Sequence, residues 1–144
     1  MTDILKKDNI ILNAEFNNKT EAIQQAGEVL FQQGYVTEQY IELMLKREES
    51  VSTYIGNNLA IPHGTENSNE EIIKSGISII QIPNGVDFGS NSLAYVVMGI
   101  AGKDNTHLDM LSEIALICSE EENIISMKEA QNKEDIMNIL SSLS

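Results

Sequence analysis

Several residue types are scarce in this sequence, and each shortage excludes a class of site. The 144 residues include a single cysteine, Cys118, which excludes an internal disulfide and a CxxC redox or zinc motif. No apolar run reaches the roughly 18 residues that a membrane-spanning helix needs. The start MTDILKKDN is charged where a secretory signal peptide is apolar. We therefore expect a cytoplasmic protein that does not insert into a membrane.

Basic residues are also few. Nine lysines and arginines stand against 22 aspartates and glutamates, which gives a net charge of −13, and Arg47 is the only arginine. Such a surface repels the phosphate backbone of nucleic acids, so nucleic acid is not an expected partner. It attracts a basic protein partner through long-range electrostatics, although an acidic surface also serves solubility alone.

The sequence contains no glycine-rich phosphate loop of the Walker type and no dinucleotide-binding fingerprint. It also lacks histidines at the short or helical spacing of a zinc site. Neither a nucleotide donor nor a metal is therefore expected, and Cys118 is interpreted as a small core residue on the apolar face of a helix.

Helix signals bracket the first and last parts of the chain. Asn18 with Glu21 three positions later resembles a capping box, and Gly34 marks the end of that helix. A second helix is predicted to open at Thr37 and to end near Arg47. The predicted buried residues of this second helix are Tyr40, Ile41, Met44 and Leu45. Two further helices are predicted to start at Ser119 and at Asn132.

Another helix follows Gly102, with Asn105 or Thr106 as its cap. Its apolar stripe is predicted to comprise Leu108, Leu111, Ile114, Ala115 and Cys118.

Strand signals occupy the middle of the chain. The segments 9–12 and 59–62 are short, apolar and predicted to be extended. Apolar and polar residues alternate over residues 76–83, and the Asn84-Gly85 pair that follows predicts a tight antiparallel hairpin with residues 86–88. Residues 93–101 are almost continuously apolar, as in a central strand covered on both faces. The order of elements predicts an α/β fold of three layers: a mixed parallel and antiparallel sheet flanked by helices, formed by residues 1–144 as a single domain.

His63 and His107 are the two histidines, and both stand at the ends of predicted elements, where α/β proteins build their sites. Pro62 fixes the backbone that enters His63, and Gly64 allows another molecule to approach. A neutral imidazole is a competent nucleophile near pH 7, although a lone histidine after a structural turn is also common.

Arg47 and His107 are the candidates for binding an anion near that nucleophile. Arg47 carries a guanidinium suited to phosphoryl oxygens, but a cation at the end of a helix also stabilises the helix by itself. His107 lies in the first turn of a helix, where N–H groups favour an anion, and a solvated first-turn histidine is the alternative.

The segment KREESVSTYIGNNLAIPHGT, residues 46–65, resembles the phosphohistidine signature of the mannitol/fructose class of enzyme IIA of the sugar phosphotransferase system. Glu48 is followed at the family spacing by Ile55-Gly56 and by residues 59–64, LAIPHG. Residues 99–115, GIAGKDNTHLDMLSEIA, resemble the family's second-histidine region and are most similar to mannitol-type members. Asn57 departs from the acidic residue of some members.

The resemblance implies a phosphorelay without a cofactor. The carrier protein HPr donates a phosphoryl group to His63, and a cysteine of the IIB component of a membrane permease complex then accepts it. His107 and Arg47 match the positions that stabilise the phosphoryl group. In the transition state of phosphoryl transfer, negative charge spreads over the equatorial oxygens. Such a site therefore acts mainly by positioning the phosphoryl group and neutralising its charge.

Two other functions stay open from the sequence. One is a regulatory, nitrogen-type enzyme IIA paralogue that acts by phosphorylation-dependent protein binding. The other is a hydrolase or metal-binding domain that uses the histidine pair.

Overall fold

The computed structural model of the protein describes residues 4–141, apart from the side chains of Asn105 and His107. The helices are α1 (Lys19–Gln32), α2 (Gln39–Ser50), α3 (His107–Cys118), α4 (Glu121–Glu129) and α5 (Lys133–Ile139). The strands are β1 (Ile10–Ile11), β2 (Tyr54–Gly56), β3 (Leu59–Ala60), β4 (Gly76–Asp87) and β5 (Leu93–Ala101). Among the described helices, none has the length and apolar character that a membrane span requires.

The strands form one mixed sheet in the order β1-β4-β5-β3-β2. Strand β5 lies in the middle, antiparallel to β4 and parallel to β3, while β1 runs parallel to β4 and β2 antiparallel to β3. The predictions of a mixed sheet and of a central strand at residues 93–101 are confirmed.

Strand β5 is apolar on both faces because each face supports its own layer of helices. Val97 and Ala101 pack with residues of α1 and α2, whereas Met98 and Ile100 pack with residues of α3, α4 and α5. Side chains of a strand alternate between faces, so a continuous apolar run is what two covered faces require. The predicted three-layer α/β architecture is therefore confirmed.

The prediction of a hairpin at Asn84-Gly85 is wrong. Strand β4 continues through this pair to Asp87, with a shift of register between Gln81 and Val86. Gly85 has φ +78°, so the Asn-Gly preference for positive φ is used in a bulge. Val86 and Phe88 beyond it are buried, which keeps the strand paired with β5. The turn comes later, at residues 89–91, where three successive residues have positive φ.

Most helix ends follow their sequence signals. The side chain of Asn18 accepts the N–H of Glu21 at 3.0 Å, and Asn132 caps α5 in the same way. After α1, Gly34 has φ +84°, and the N–H of Tyr35 reaches back to the carbonyl of Leu30 at 2.9 Å, which forms a Schellman motif. These caps are confirmed.

Two starts differ from the predictions, and that of α3 agrees. Helix α2 begins at Gln39, after Thr37, whose carbonyl accepts the N–H of Tyr40 at 3.1 Å. The N-cap of α4 is Glu120 and not Ser119, whose hydroxyl donates to the carbonyl of Leu116 at 2.8 Å. Thr106 is the N-cap of α3, as predicted, although its side chain makes no cap bond.

The predicted apolar stripe of α3 is only partly correct. Ile114 and Cys118 are buried, but Met110 completes the buried face, and Ala115 and Leu108 are exposed, Leu108 to 62%. Apolar residues occur on more than one side of this helix, so their spacing did not identify the buried side. Leu111 is half-buried.

Candidate functional site

His63 lies just beyond the end of β3, at the edge of the sheet. The extended segment that follows β3 stays beside β5, because the carbonyl of Pro62 accepts the N–H of Ile100 at 2.9 Å. Pro62 is buried and His63 is half-buried. The sheet thus carries the backbone rigidly up to the histidine and leaves its ring at the surface.

The ring of His63 is oriented by its own main chain. Its Nδ1 lies 2.8 Å from the carbonyl oxygen of Ile61. Because a carbonyl only accepts hydrogen bonds, the proton of the neutral ring belongs on Nδ1, and the lone pair belongs on Nε2. This is the tautomer in which Nε2 acts as a nucleophile.

His63 and Arg47 lie on one open cleft, here called the His63 cleft, with a volume of about 340 Å³. Its walls come from α2, the loop after His63 and the first half of α3. The lining residues are Tyr40, Arg47, His63, Gly64, Thr65, Glu66, Ser68, Asn69, Ile72, Gly102, Leu108 and Leu111. The structure therefore brings together two of the predicted site residues, which are 16 positions apart in the sequence.

Arg47 is braced at this cleft by a main-chain carbonyl. It is half-buried in the last turn of α2, and its Nη1 donates to the carbonyl oxygen of Val51 at 2.6 Å. A guanidinium has five N–H donors, so one bond fixes its position while others remain for an anion.

The side chain of His107 lies outside the described part of the structure. Its backbone opens α3, and the next residue, Leu108, lines the His63 cleft. The predicted role of His107 thus stays a prediction, although the first turn of α3 borders the cleft.

Tyr40 is a residue of the cleft that the sequence predicts only as part of the core. Its hydroxyl donates to the carbonyl of Ile100 at 2.7 Å and accepts the N–H of Gly64 at 2.8 Å. Burial raises the pKa of Tyr40 to about 12, against a smaller opposing effect of the Gly64 bond, so the phenol stays protonated at neutral pH. The spacing of apolar residues along a helix shows that a tyrosine is buried, but it does not show that its hydroxyl makes hydrogen bonds.

Gly64 lines the His63 cleft, and it also has a packing role that the sequence did not predict. A Cβ at this position would lie 2.5 Å from the Ser68 hydroxyl oxygen and 2.6 Å from the ring of Tyr40. Gly64 is itself buried. Glycine is thus required by the packing of the protein's own residues beneath the loop.

Glu48 is a buried carboxylate beside Arg47 in the sequence, and it organises the bend after α2. Its Oε1 accepts both the N–H of Thr53 at 2.8 Å and the Thr53 hydroxyl at 2.6 Å, while Oε2 accepts Lys19 Nζ at 3.1 Å. Burial acts to raise its pKa, but the hydrogen bonds from Thr53, Ser52 and Lys19 outweigh burial and hold the pKa below its usual range.

Asn57 contacts a helix end instead of the cleft. Its Nδ2 donates to the carbonyl oxygens of Cys118 at 3.1 Å and of Ser119 at 3.4 Å, at the end of α3. An amide can satisfy these carbonyls, whereas the carboxylate expected from some relatives has no proton to donate at neutral pH.

Cys118, the last residue of α3, is buried in the core on that side of the sheet, which confirms its interpretation as a core residue. Burial raises its pKa to about 12, so the thiol is not ionised at neutral pH. Among the side chains that the structure describes, no group of three histidine, cysteine, aspartate or glutamate residues is arranged to hold a metal.

An imidazole whose Nδ1 is held by a main-chain carbonyl and a braced guanidinium lie on one open cleft of an α/β sheet, an arrangement that suits a protein that carries a phosphoryl group. The chain belongs to the family described as phosphoenolpyruvate-dependent sugar phosphotransferase system, EIIA 2, whose model matches residues 3–143. Enzyme IIA components are relay phosphotransferases, and the resemblance seen in the sequence is confirmed.

Relatives of the chain share its full length. It is 54% identical over 141 residues to the mannitol-specific phosphotransferase enzyme IIA component of Bacillus subtilis (strain 168), covering 98% of this chain and 99% of the relative. It is 52% identical over 141 residues to the protein of the same name from Geobacillus stearothermophilus, covering 98% and 97%.

A solved structure shares the fold closely. The complex of enzyme IIA(MTL) and phosphorylated enzyme IIB(MTL) from Escherichia coli contains a chain that matches with a TM-score of 0.91 and 32% identity, over 95% of this chain and 96% of that chain.

Proposed function

We propose that this protein is the cytoplasmic phosphocarrier of a mannitol-type sugar phosphotransferase system, with residues 1–144 acting as one enzyme IIA domain. It accepts a phosphoryl group from phosphorylated HPr on Nε2 of His63 and transfers it to a cysteine of the IIB component. The observation that carries the proposal is the Ile61 carbonyl on Nδ1, which places the lone pair on Nε2 of a ring on the cleft shared with Arg47.

Each transfer is a substitution at phosphorus. The bond from phosphorus to the HPr donor atom breaks as the Nε2–P bond forms. The Nε2–P bond then breaks as the bond from phosphorus to the IIB sulfur forms. The proton on Nδ1 stays in place, because its acceptor is a main-chain carbonyl that does not titrate.

The added phosphoryl group carries about two negative charges. The protein already has a net charge of −13, so local positive charge is needed where the group attaches. Arg47 supplies a guanidinium at the cleft, and we propose that His107, at the first turn of α3, donates to a phosphoryl oxygen.

The proposed assignment of mannitol as the sugar rests on relatives of the chain. Two proteins more than half identical to it are named mannitol-specific enzyme IIA components, and the matching solved structure is a complex with phosphorylated IIB. The nitrogen-type regulatory alternative has less support than this transport role.

The test is intact mass spectrometry after incubation with HPr, enzyme I and phosphoenolpyruvate. The wild type and His107→Ala are expected to gain one phosphoryl group, His107→Ala more slowly, whereas His63→Ala gains none. Stoichiometric loading of His63→Ala would overturn the assignment of the acceptor.

A second arm adds IIB to the phosphorylated protein. Loss of the group to a mannitol IIB supports the transport relay, whereas loading without unloading favours the regulatory alternative. A loading reaction that stops with a chelator of transition metals, while HPr is still phosphorylated, would favour the metal-dependent alternative.

A further inference from the structure

We infer that Glu48 is a positioning residue for phosphoryl transfer: through Thr53 it fixes the Ile61 carbonyl that holds the proton on Nδ1 of His63. The inference deepens the proposed function and rests on His63 as the acceptor. It assigns a role to a carboxylate that does not line the His63 cleft.

The first link is the bond from Glu48 to Thr53. Both residues are buried, and one carboxylate oxygen accepts the main-chain N–H and the side-chain hydroxyl of Thr53. Two bonds to one residue fix both its backbone and its side-chain rotamer. A buried N–H that lost this acceptor would be left unpaired, which the fold avoids.

The second link runs from Thr53 to Ile61. The carbonyl of Thr53 accepts the N–H of Ile61 at 3.0 Å, next to the antiparallel pairing of β2 with β3. The backbone of Ile61 is thereby tied to the bend that Glu48 organises.

The third link is the Ile61 carbonyl itself. The peptide that it belongs to ends on the nitrogen of Pro62, which has no N–H, so this peptide has no donor to fix its plane. Its orientation depends on the bonds on either side: Ile61 N–H to Thr53, and the Pro62 carbonyl to Ile100 N–H at 2.9 Å. Without the hydrogen bond from the Ile61 N–H to Thr53, the Ile61 carbonyl could rotate away from Nδ1 of His63.

The same bend also braces the cation. Val51, whose carbonyl accepts Arg47 Nη1, lies between Glu48 and Thr53 in the chain. One buried carboxylate thus supports the segment that orients the nucleophile and the segment that orients the guanidinium. Lys19, from the first turn of α1, compensates its charge at 3.1 Å.

A purely structural role for Glu48 predicts lower stability with no change at the histidine ring, so the ring itself is the discriminating readout. We would record ring ¹⁵N shifts of histidine-labelled protein at a pH where the rings are neutral, with His63→Ala assigning the signals. Initial rates of phosphoryl loading from phosphorylated HPr would be measured on the same samples.

The main variant is Glu48→Met, which keeps the length of the side chain but removes both oxygens that accept bonds from Thr53 and Lys19. The matched control is Glu49→Met, on the exposed neighbouring residue. We expect the wild type and Glu49→Met to hold the proton on Nδ1. In Glu48→Met the Nε2–H form is expected to increase, and the loading rate is expected to fall on the order of tenfold because the reacting nitrogen is misplaced.

An unchanged tautomer and an unchanged loading rate in folded Glu48→Met would overturn the inference. If that variant does not fold, Glu48→Ala decides, because water can then enter and pair the Thr53 N–H without fixing its position. Glu48→Ala is expected to shift the tautomer in the same direction, and an unshifted ring would overturn the inference. If the wild type accepts no phosphoryl group while the tautomer still follows Glu48, the proposed function fails and the positioning stands.

Discussion

The hydroxyl oxygen of Tyr40 accepts the N–H of Gly64 at 2.8 Å and so ties helix α2 to the loop directly after His63. The same hydroxyl donates to the carbonyl of Ile100 in the central strand. One side chain thus joins three segments at the base of the His63 cleft. The loop that carries the histidine rests on this phenol, and the absence of a Cβ on Gly64 lets it do so.

Replacing Tyr40 with phenylalanine is expected to lower the free energy of unfolding by about 1–3 kcal/mol, because a buried N–H and a buried carbonyl each lose a partner. The loading rate of His63 should also fall, since the loop loses its anchor. Urea unfolding and initial-rate measurements test the two effects.

The control for Tyr40→Phe is Tyr35→Phe, at another buried tyrosine whose hydroxyl accepts a bond from Asn9 at 2.9 Å. That variant should lose stability but load at the wild-type rate. Equal loading rates in both variants would contradict the anchoring role of Tyr40.

Arg47→Gln is expected to slow phosphoryl loading by roughly tenfold or more, because the cleft loses a charge-assisted, multidentate donor. Arg47→Lys should restore the charge but little of the rate, because an ammonium cannot bond the Val51 carbonyl and a phosphoryl group in the geometry of a guanidinium. Lys46→Gln removes the same charge one residue earlier and should load normally. Equal slowing by Lys46→Gln and Arg47→Gln would show that net charge, and not position, matters.

Asn57→Asp should destabilise the protein by about 1–2 kcal/mol, because it replaces a donor with a negative charge beside the last carbonyls of α3. Asn57→Gly is the matched variant: Asn57 has φ +49°, which glycine tolerates, so only the amide contacts are lost. Urea unfolding should rank the proteins as wild type, Asn57→Gly and Asn57→Asp in order of falling stability. A stability of Asn57→Asp equal to the wild type would exclude the helix-end role.

Stability should fall at alkaline pH. Burial raises the pKa of Cys118 from 9.0 to about 12, so between these values the unfolded chain releases a proton that the folded chain retains, and unfolding becomes more favourable as the pH rises. Tyr40, with a pKa raised from 10.0 to about 12, adds to the loss in the same direction.

Cys118→Ala tests this linkage. It should reduce stability at pH ~8 by leaving a small cavity, but it should show a shallower decline toward pH ~10.5, measured by urea unfolding at both values. A decline as steep as that of the wild type would mean that the thiol does not contribute.

Local sequence signals predicted the parts of this fold that local chemistry decides. Asn18, Gly34 and Asn132 act through their own side chains or backbone freedom within a few residues, so their roles as caps are visible in the sequence. The apolar run of residues 93–101 likewise shows that both faces are covered.

The predictions that failed concern features that contacts between distant segments decide. The Asn84-Gly85 pair prefers positive φ, but a turn and a bulge both use that preference, and pairing with β5 selects the bulge. Leu108 fits an apolar stripe but borders the cleft and is exposed because α3 turns another face to the sheet.

For the site, the sequence identified His63 and Arg47 as candidates, and the structure places both on one cleft. The supporting contacts were not predictable, because each joins distant segments. Tyr40 reaches Ile100 across 60 residues, and no periodicity shows that its hydroxyl is used. The role of Glu48 depends on the bend that follows α2, which has no distinctive sequence signal of its own.

The lengths of the outer strands affect how copies of this protein behave in solution. The sheet ends in β1, of two residues, on one side and in β2, of three residues, on the other. Such short edge strands offer few unpaired main-chain N–H and C=O groups to the sheet of another molecule. The net negative charge of each molecule also repels its copies. Both features disfavour edge-to-edge association of two copies of this sheet.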